Sequence, residues 1–162
     1  MWPMLAGIGP VLGEGACGEF VGPDGQREVW GYAGGASHIA GERECWVAAP
    51  YRLRQPSPPV AVLASGRTMS SGELTLLAFR GRPDTRTLGE PTFGVPTSNG
   101  SHEFADGSML YLTEQLGADR TGRTYDGPIA PDDRVPIDWT KLDADDDPVA
   151  RAAVTWLRGR LG

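Results

Sequence analysis

Lysine, histidine and cysteine are scarce in this chain, and each scarcity argues against a class of function. Lys141 is the only lysine, and the net charge is -6 with a pI of about 4.9. An acidic chain without a basic stripe is not typical of nucleic-acid binding. Two cysteines and two histidines, without the spacing of a zinc site, predict no metal centre, and we expect no cofactor.

Long apolar runs are missing as well. Residues 1–12 are apolar but contain two prolines and are shorter than the ~20 residues that cross a bilayer. The sequence therefore predicts no membrane span, and it favours a helix over residues 1–12 with Pro3 in its first turn. An apolar helix at residue 1 suggests that the chain starts within a domain. Cys17 and Cys45 would form a disulfide only in an oxidising compartment, and the sequence does not tell which compartment applies. The oligomeric state also stays open.

The composition allows one compact, turn-rich domain. The chain has 162 residues, 40% of them hydrophobic, with 23 glycines and 14 prolines. Residues 19–33 predict a β-hairpin, because GPDG separates two runs of strand-forming residues. Residues 34–48 are expected to be irregular, and 55–59 is a proline-rich connection.

The sharpest local pattern lies in the middle of the chain. Residues 60–65, VAVLAS, predict a buried strand, and the segment that begins at Ser70 predicts a helix. Residues 86–90 predict a second strand, so the order strand, helix, strand indicates a βαβ unit and an α/β fold. Residues 104–113 predict a turn and a strand, and residues 147–162 predict the last helix.

Ser70 occupies a position that suits a nucleophile. A helix that opens with serine after a strand offers unpaired backbone N–H groups, and the N–H of Ser71 could donate to an oxyanion. The same residues, Ser70 to Glu73, also spell the capping box S-x-x-E. Local evidence by itself favours the cap, with Glu73 as its acidic partner.

Four motifs in order decide between these interpretations. They are VAVLASGRTMSSGE with its T-x-S-x-x-E pattern, then GEPTFG, ADGSMLYLT and GRTYDGPIAPDDRV. Together they resemble the tail-specific (C-terminal processing) serine peptidase family. MWPML looks like the helix after that family's Gly-rich D-x-R-x-N-x-G-G strand end. The resemblance implies a ClpP/crotonase-like sheet with flanking helices, incomplete at its N-terminus, of which residues 1–162 form the C-terminal part. Its expected divisions are 1–59 (helix and hairpin insertion), 60–135 (nucleophile-bearing core) and 136–162 (C-terminal helix).

The resemblance also implies roles for individual residues. Ser70 would be the nucleophile, Ser71 a backbone oxyanion donor and Asp126 the acidic residue that orients a histidine. Val95 stands where one branch of the family carries a lysine base, which favours the tricorn-core-like branch with its histidine base. That histidine belongs to an upstream segment that this chain lacks. The chain's own histidines, His38 and His102, are expected in loops and exposed to solvent.

The implied function is hydrolysis of peptide bonds in a polypeptide or peptide substrate, with little activity for this chain alone. One alternative is a non-catalytic module that binds a peptide or a hydrophobic ligand on the same fold. Another is a crotonase-type acyl-CoA enzyme, which would need a Gly-rich oxyanion loop that the sequence does not show. The intact T-x-S-x-x-E motif favours the peptidase.

Overall fold

The computed structural model describes residues 1–161, which form a larger antiparallel sheet, a smaller parallel sheet and flanking helices. The larger sheet has the order β4-β3-β2-β1-β8-β7, with β9 also paired to β8, and the smaller has the order β10-β6-β5. The strands are β1 Gly15–Val21, β2 Arg27–Ala33, β3 Ala36–Ile39, β4 Glu42–Trp46, β5 Val60–Ala64, β6 Thr85–Gly89, β7 Thr97–Glu103, β8 Met109–Asp119, β9 Thr124–Tyr125 and β10 Asp133–Arg134. The helices are α1 Trp2–Leu12, α2 Ser71–Leu77 and α3 Pro148–Leu161, with a 3-10 turn at Trp139–Lys141.

The predicted hairpin is confirmed, and it continues into a longer meander. Gly22 donates its N–H to the carbonyl of Gln26 at 2.9 Å, which closes the turn between β1 and β2. Beyond it the prediction of irregular structure over residues 34–48 is wrong, because β3 and β4 lie there. The turns on either side of β3 are Gly34-Gly35 and Ala40-Gly41, and all four residues have positive φ angles. Paired positive angles are the signature of tight hairpin turns.

The predicted βαβ unit is confirmed in the smaller sheet, and with it the α/β class. β5 and β6 run parallel from the pair Val60 and Thr85 to the pair Ala64 and Gly89, with α2 between them in sequence. The predicted C-terminal helix is confirmed as α3, whose N-terminus is capped by Asp147 through the N–H of Val149 at 2.8 Å. Gly162, the last residue of that prediction, lies outside the described residues.

The main core lies where α1 and α2 meet the larger sheet. Each large apolar side chain that is fully buried here stabilises the folded state by ~1.5–3 kcal/mol. A β-carbon on Gly9 would lie 1.9 Å from the ring of Tyr32, so only glycine lets α1 approach the sheet this closely. None of the helices within residues 1–161 has both the length and the hydropathy to cross a bilayer. The buried side chains of this core include Leu5, Leu12, Cys17, Trp30, Leu74 and Leu77.

Candidate active site

Ser70 lies in the turn between β5 and α2, immediately before the first helical residue, as predicted. Its backbone has φ 49° and ψ −117°, a conformation that residues with a side chain rarely adopt. Holding a residue there costs on the order of 1–3 kcal/mol. A strained serine between a strand and a helix is also the geometry by which nucleophile elbows expose the hydroxyl.

The Ser70 side chain takes part in a capping box with Glu73, but only one half of that box is a hydrogen bond of normal geometry. Ser70 and Glu73 face each other as in a capping box, and the N–H of Ser70 donates to Glu73 Oε2 at 2.9 Å. The reciprocal interaction is weak, since the Ser70 side chain makes no capping hydrogen bond of normal geometry. The hydroxyl therefore remains available to a substrate.

Glu73 does more than the predicted capping of α2. Its side chain is fully buried and accepts hydrogen bonds from Thr92 Oγ1 at 2.5 Å and from the N–H of Gly94 at 2.8 Å. Its second oxygen accepts from the N–H of Val95 at 2.8 Å, beside the bond from Ser70. One carboxylate therefore fastens the GEPTFG loop to the serine turn.

An open cavity of about 220 Å³ lies beside the serine turn. The Ser71 N–H faces no hydrogen-bond acceptor among residues 1–161, while Ser71 Oγ lies 3.2 Å from the backbone nitrogen of Met1. The start of α1 therefore passes directly next to the two serines. No lining side chain in the described chain is an acid or a base; the lining residues are Met1, Trp2, Phe20, Ser70, Ser71, Leu74, Thr97, Ser98 and Asn99.

Neither histidine lines this cavity, and both lie in strands, so their prediction as loop residues is wrong. His38 lies in β3, with Nε2 3.3 Å from the carbonyl oxygen of Ala33. His102 lies in β7, with Nε2 2.7 Å from Glu114 Oε1. The flanking Gly and Ser residues suggested loops, but cross-strand pairing overrode that local preference.

Asp126, the predicted acidic residue, does not contact the Ser70 cavity, but the turn that contains it does contact a loop next to Ser70. Asp126 is exposed and lies outside the lining of the Ser70 cavity. The chain after it nevertheless contacts the site, because a β-carbon on Gly94 would lie 2.7 Å from Pro128 Cδ. Gly94 is one of the residues that Glu73 holds, so the Asp126 turn rests on the loop beside Ser70.

A second carboxylate, that of Asp132, was not predicted as a site residue and organises the segment that follows Pro131. Asp132 Oδ2 accepts hydrogen bonds from the N–H and the hydroxyl of Thr87, both at 2.7 Å, and Asp132 Oδ1 accepts from Arg80 at 2.6 Å. Burial alone would raise the pKa of Asp132, but the hydrogen bonds from Thr87 and the charge of Arg80 outweigh it and lower the pKa. In the sequence, this role of Asp132 has no signal beyond its place after Pro131 in the motif GRTYDGPIAPDDRV.

Serine hydrolases present their nucleophile on a strained turn between a strand and a helix. Ser70 lies in such a turn, and the GEPTFG loop is held beside it by Glu73. The model of peptidase family S41 matches residues 7–135. The chain belongs to this family, which confirms the predicted resemblance.

Relatives and solved structures agree with this assignment. The chain is 31% identical over 131 residues to a nisin-resistance protein of Lactococcus lactis subsp. lactis, covering 80% of this chain and 40% of the relative. A lipoprotein from Streptococcus agalactiae shares the fold with a TM-score of 0.67 at 22% identity, over 98% of this chain and 50% of that one. A putative peptidase from Parabacteroides merdae does so with a TM-score of 0.60 at 18% identity, over 95% of this chain and 47% of that one. This chain therefore spans half the length of these proteins or less.

Proposed function

We propose that this chain is the nucleophile-bearing part of a serine peptidase and that Ser70 attacks the peptide carbonyl. The observation that carries the proposal is the backbone of Ser70, with φ 49° at the strand-to-helix turn. Glycine would adopt this conformation without strain, so a serine there carries a cost of ~1–3 kcal/mol. The Ser70 hydroxyl makes no capping hydrogen bond of normal geometry and lies at the cavity, which supports a chemical role for that serine.

The reaction would be acyl transfer. Ser70 Oγ adds to the carbonyl carbon, and its proton passes to a base that later protonates the leaving amine. The N–H of Ser71, which has no acceptor within residues 1–161, would donate to the oxyanion. Water then releases the acyl group and restores the hydroxyl.

The base would come from a part of the protein outside these 162 residues. No acidic or basic side chain lines the cavity in the described chain, and the relatives are about twice as long. Asp126 would orient that base, since its turn lies against the Gly94 loop. We therefore expect only weak hydrolysis from this chain alone, on the order of the 10³–10⁴-fold enhancement over water that remains without a triad member.

The substrate would be a polypeptide or peptide, in keeping with the family. Nisin, from which the Lactococcus relative takes its name, is one peptide to test. The competing function is a module that binds a peptide or a hydrophobic ligand without cleaving it.

Labelling with a serine-directed fluorophosphonate separates the two functions. In the full-length protein that contains this chain, we expect labelling at Ser70, loss of labelling in Ser70→Ala and normal labelling in Ser71→Ala. The second variant is the matched control, because Ser71 is asked to contribute only its backbone N–H. Absence of labelling in a folded full-length protein that still binds peptides would overturn the peptidase and favour the binding module.

A further inference from the structure

The strand β7 has an unused edge that starts at the candidate active site. One side of β7 pairs with β8, and no strand among residues 1–161 pairs with the other side. Its first residues, Thr97, Ser98 and Asn99, line the same cavity as Ser70. From there β7 and β8 extend as an arm, in which every residue from 101 to 114 is exposed.

The main-chain groups that point outward from β7 follow from its pairing. Phe104, just past the strand, donates its N–H to the carbonyl of Ser108 on the β8 side at 2.9 Å. Hydrogen bonds alternate along an antiparallel strand, so His102 and Gly100 also face β8. The N–H and C=O groups of Asn99, Ser101 and Glu103 therefore face away from the sheet.

The side chains near the cavity leave this edge accessible. Residues 98–101 are Ser, Asn, Gly and Ser, all small, so a second backbone can approach within the ~4.8 Å of strand pairing. Gly100 must stay small for another reason, because a β-carbon there would lie 2.1 Å from Glu114 Oε2. Such an edge recognises a peptide through its main chain, with little demand on its side chains.

We propose that the outer edge of β7 binds the substrate as an added antiparallel strand and delivers its scissile bond to Ser70. The inference rests on the proposed function. Antiparallel pairing is expected because the sheet containing β7 is antiparallel throughout and such pairs are the more stable. β7 runs away from the cavity, so the residues that precede the scissile bond lie along Asn99 to Glu103, a span of about 13 Å at ~3.3 Å per residue.

A proline substitution tests the edge directly. Ser101→Pro removes an outward N–H and places a ring in the path of the peptide, without removing a bond to β8. In full-length protein carrying Ser70→Ala, binding of fluorescein-labelled β-casein should weaken about tenfold, as for a lost main-chain hydrogen bond. Tyr111→Pro, at the paired position of β8, removes an outward N–H from the opposite edge of the arm and should bind like its parent. Equal binding by the two variants, at unchanged melting temperature, would overturn the proposal.

Two readouts separate failure of the edge from failure of the peptidase. A small fluorophosphonate does not need the edge, so Ser101→Pro should be labelled at the parental rate yet cleave β-casein more slowly. Equal cleavage would overturn the edge while leaving Ser70 as the nucleophile. If the parent is not labelled at all, the peptidase fails, and casein binding in Ser70→Ala still tests the edge.

Backbone N-methylation of a peptide from a cleaved casein site tests the direction of the added strand. Methyl groups placed one residue at a time should weaken binding at every second residue before the scissile bond. If methylation weakens binding at every second residue only after the scissile bond, the antiparallel arrangement is overturned. A flat profile would overturn main-chain recognition.

Discussion

The serine turn and the β7–β8 arm meet at one cavity but are built in opposite ways. In the turn, Glu73 is 0% exposed and accepts four hydrogen bonds that fix the backbone around Ser70. In the arm, Tyr111 is 67% exposed and its neighbours also face outward. A group that performs chemistry needs a fixed position, whereas a surface that receives peptides needs unused hydrogen-bonding groups.

Loss of the Glu73 carboxylate should produce the largest effect. Glu73→Ala leaves buried donors on Thr92, Gly94 and Val95 without an acceptor, so the free energy of unfolding should fall by about 3 kcal/mol or more. Urea denaturation measures this change. The matched control is Glu114→Ala in the arm, which removes only an exposed pair with His102 and should cost less than ~1 kcal/mol. Equal costs would contradict the contrast between turn and arm.

Acid should weaken the parallel sheet through Asp132. Its pKa is lowered in the folded state, because the hydrogen bonds from Thr87 and the charge of Arg80 outweigh burial. The carboxylate therefore stabilises the fold above its unfolded pKa of about 3.9, and that contribution disappears as the pH falls through the folded pKa.

Asp132→Asn should consequently cost ~1–2 kcal/mol at pH 7 and flatten the fall of stability below pH ~4. Thermal melts across the acid range test this expectation. Asp145→Asn, in the exposed acidic turn before α3, serves as the control and should leave the acid profile unchanged. If the stability of Asp132→Asn falls as steeply with pH as that of the parent, other carboxylates govern acid unfolding.

The strain at Ser70 predicts an increase in stability on mutation. Ser70→Gly should raise the free energy of unfolding by about 1 kcal/mol, because glycine tolerates the positive φ angle. Ser70→Ala should leave stability nearly unchanged, since the hydroxyl makes no normal capping bond. Both variants should lose fluorophosphonate labelling in the full-length protein. A loss of ~1 kcal/mol in Ser70→Ala would instead identify the hydroxyl as a helix cap.

The smallest effect is expected in the arm. Tyr111→Thr replaces an exposed aromatic residue by a β-branched one, and both types favour strands, so the free energy of unfolding should change by less than ~0.5 kcal/mol. Chemical denaturation of the 162-residue chain measures it. A loss of several kcal/mol would mean that the arm packs against another part of the molecule, and the description of the arm as open would be wrong.

The local parts of the fold were predictable because their signals are short-range. Two runs of strand-forming residues around the GPDG turn predicted the first hairpin, and the order of apolar strand, serine-led helix and second strand predicted the βαβ unit. The strands β3 and β4 were missed because their tight turns use Gly-Gly and Ala-Gly, which also occur in irregular loops. His38 was misplaced for the same reason, and His102 because the Ser-Asn-Gly-Ser residues before it suggested a loop.

The network around the serine could not be predicted from the sequence by the same reasoning. Glu73 was assigned to the cap because Ser70 is three positions away, whereas its other partners are 19 to 22 positions distant. Asp132 likewise contacts Thr87 across 45 positions. Such contacts depend on where two loops meet after the parallel strands pair, which no local pattern specifies.

From the amino-acid sequence one can predict the class of fold, the helix that begins at the serine and, through four ordered motifs, the family. Three features follow only from the way distant segments pack: the strained backbone of Ser70, the hydrogen bonds by which Glu73 fastens a distant loop to it, and the edge of β7 with which no strand in residues 1–161 pairs. The physical reason is that helix and strand preferences act between residues a few positions apart. Backbone strain, buried hydrogen-bond networks and sheet edges arise only when distant segments pack together.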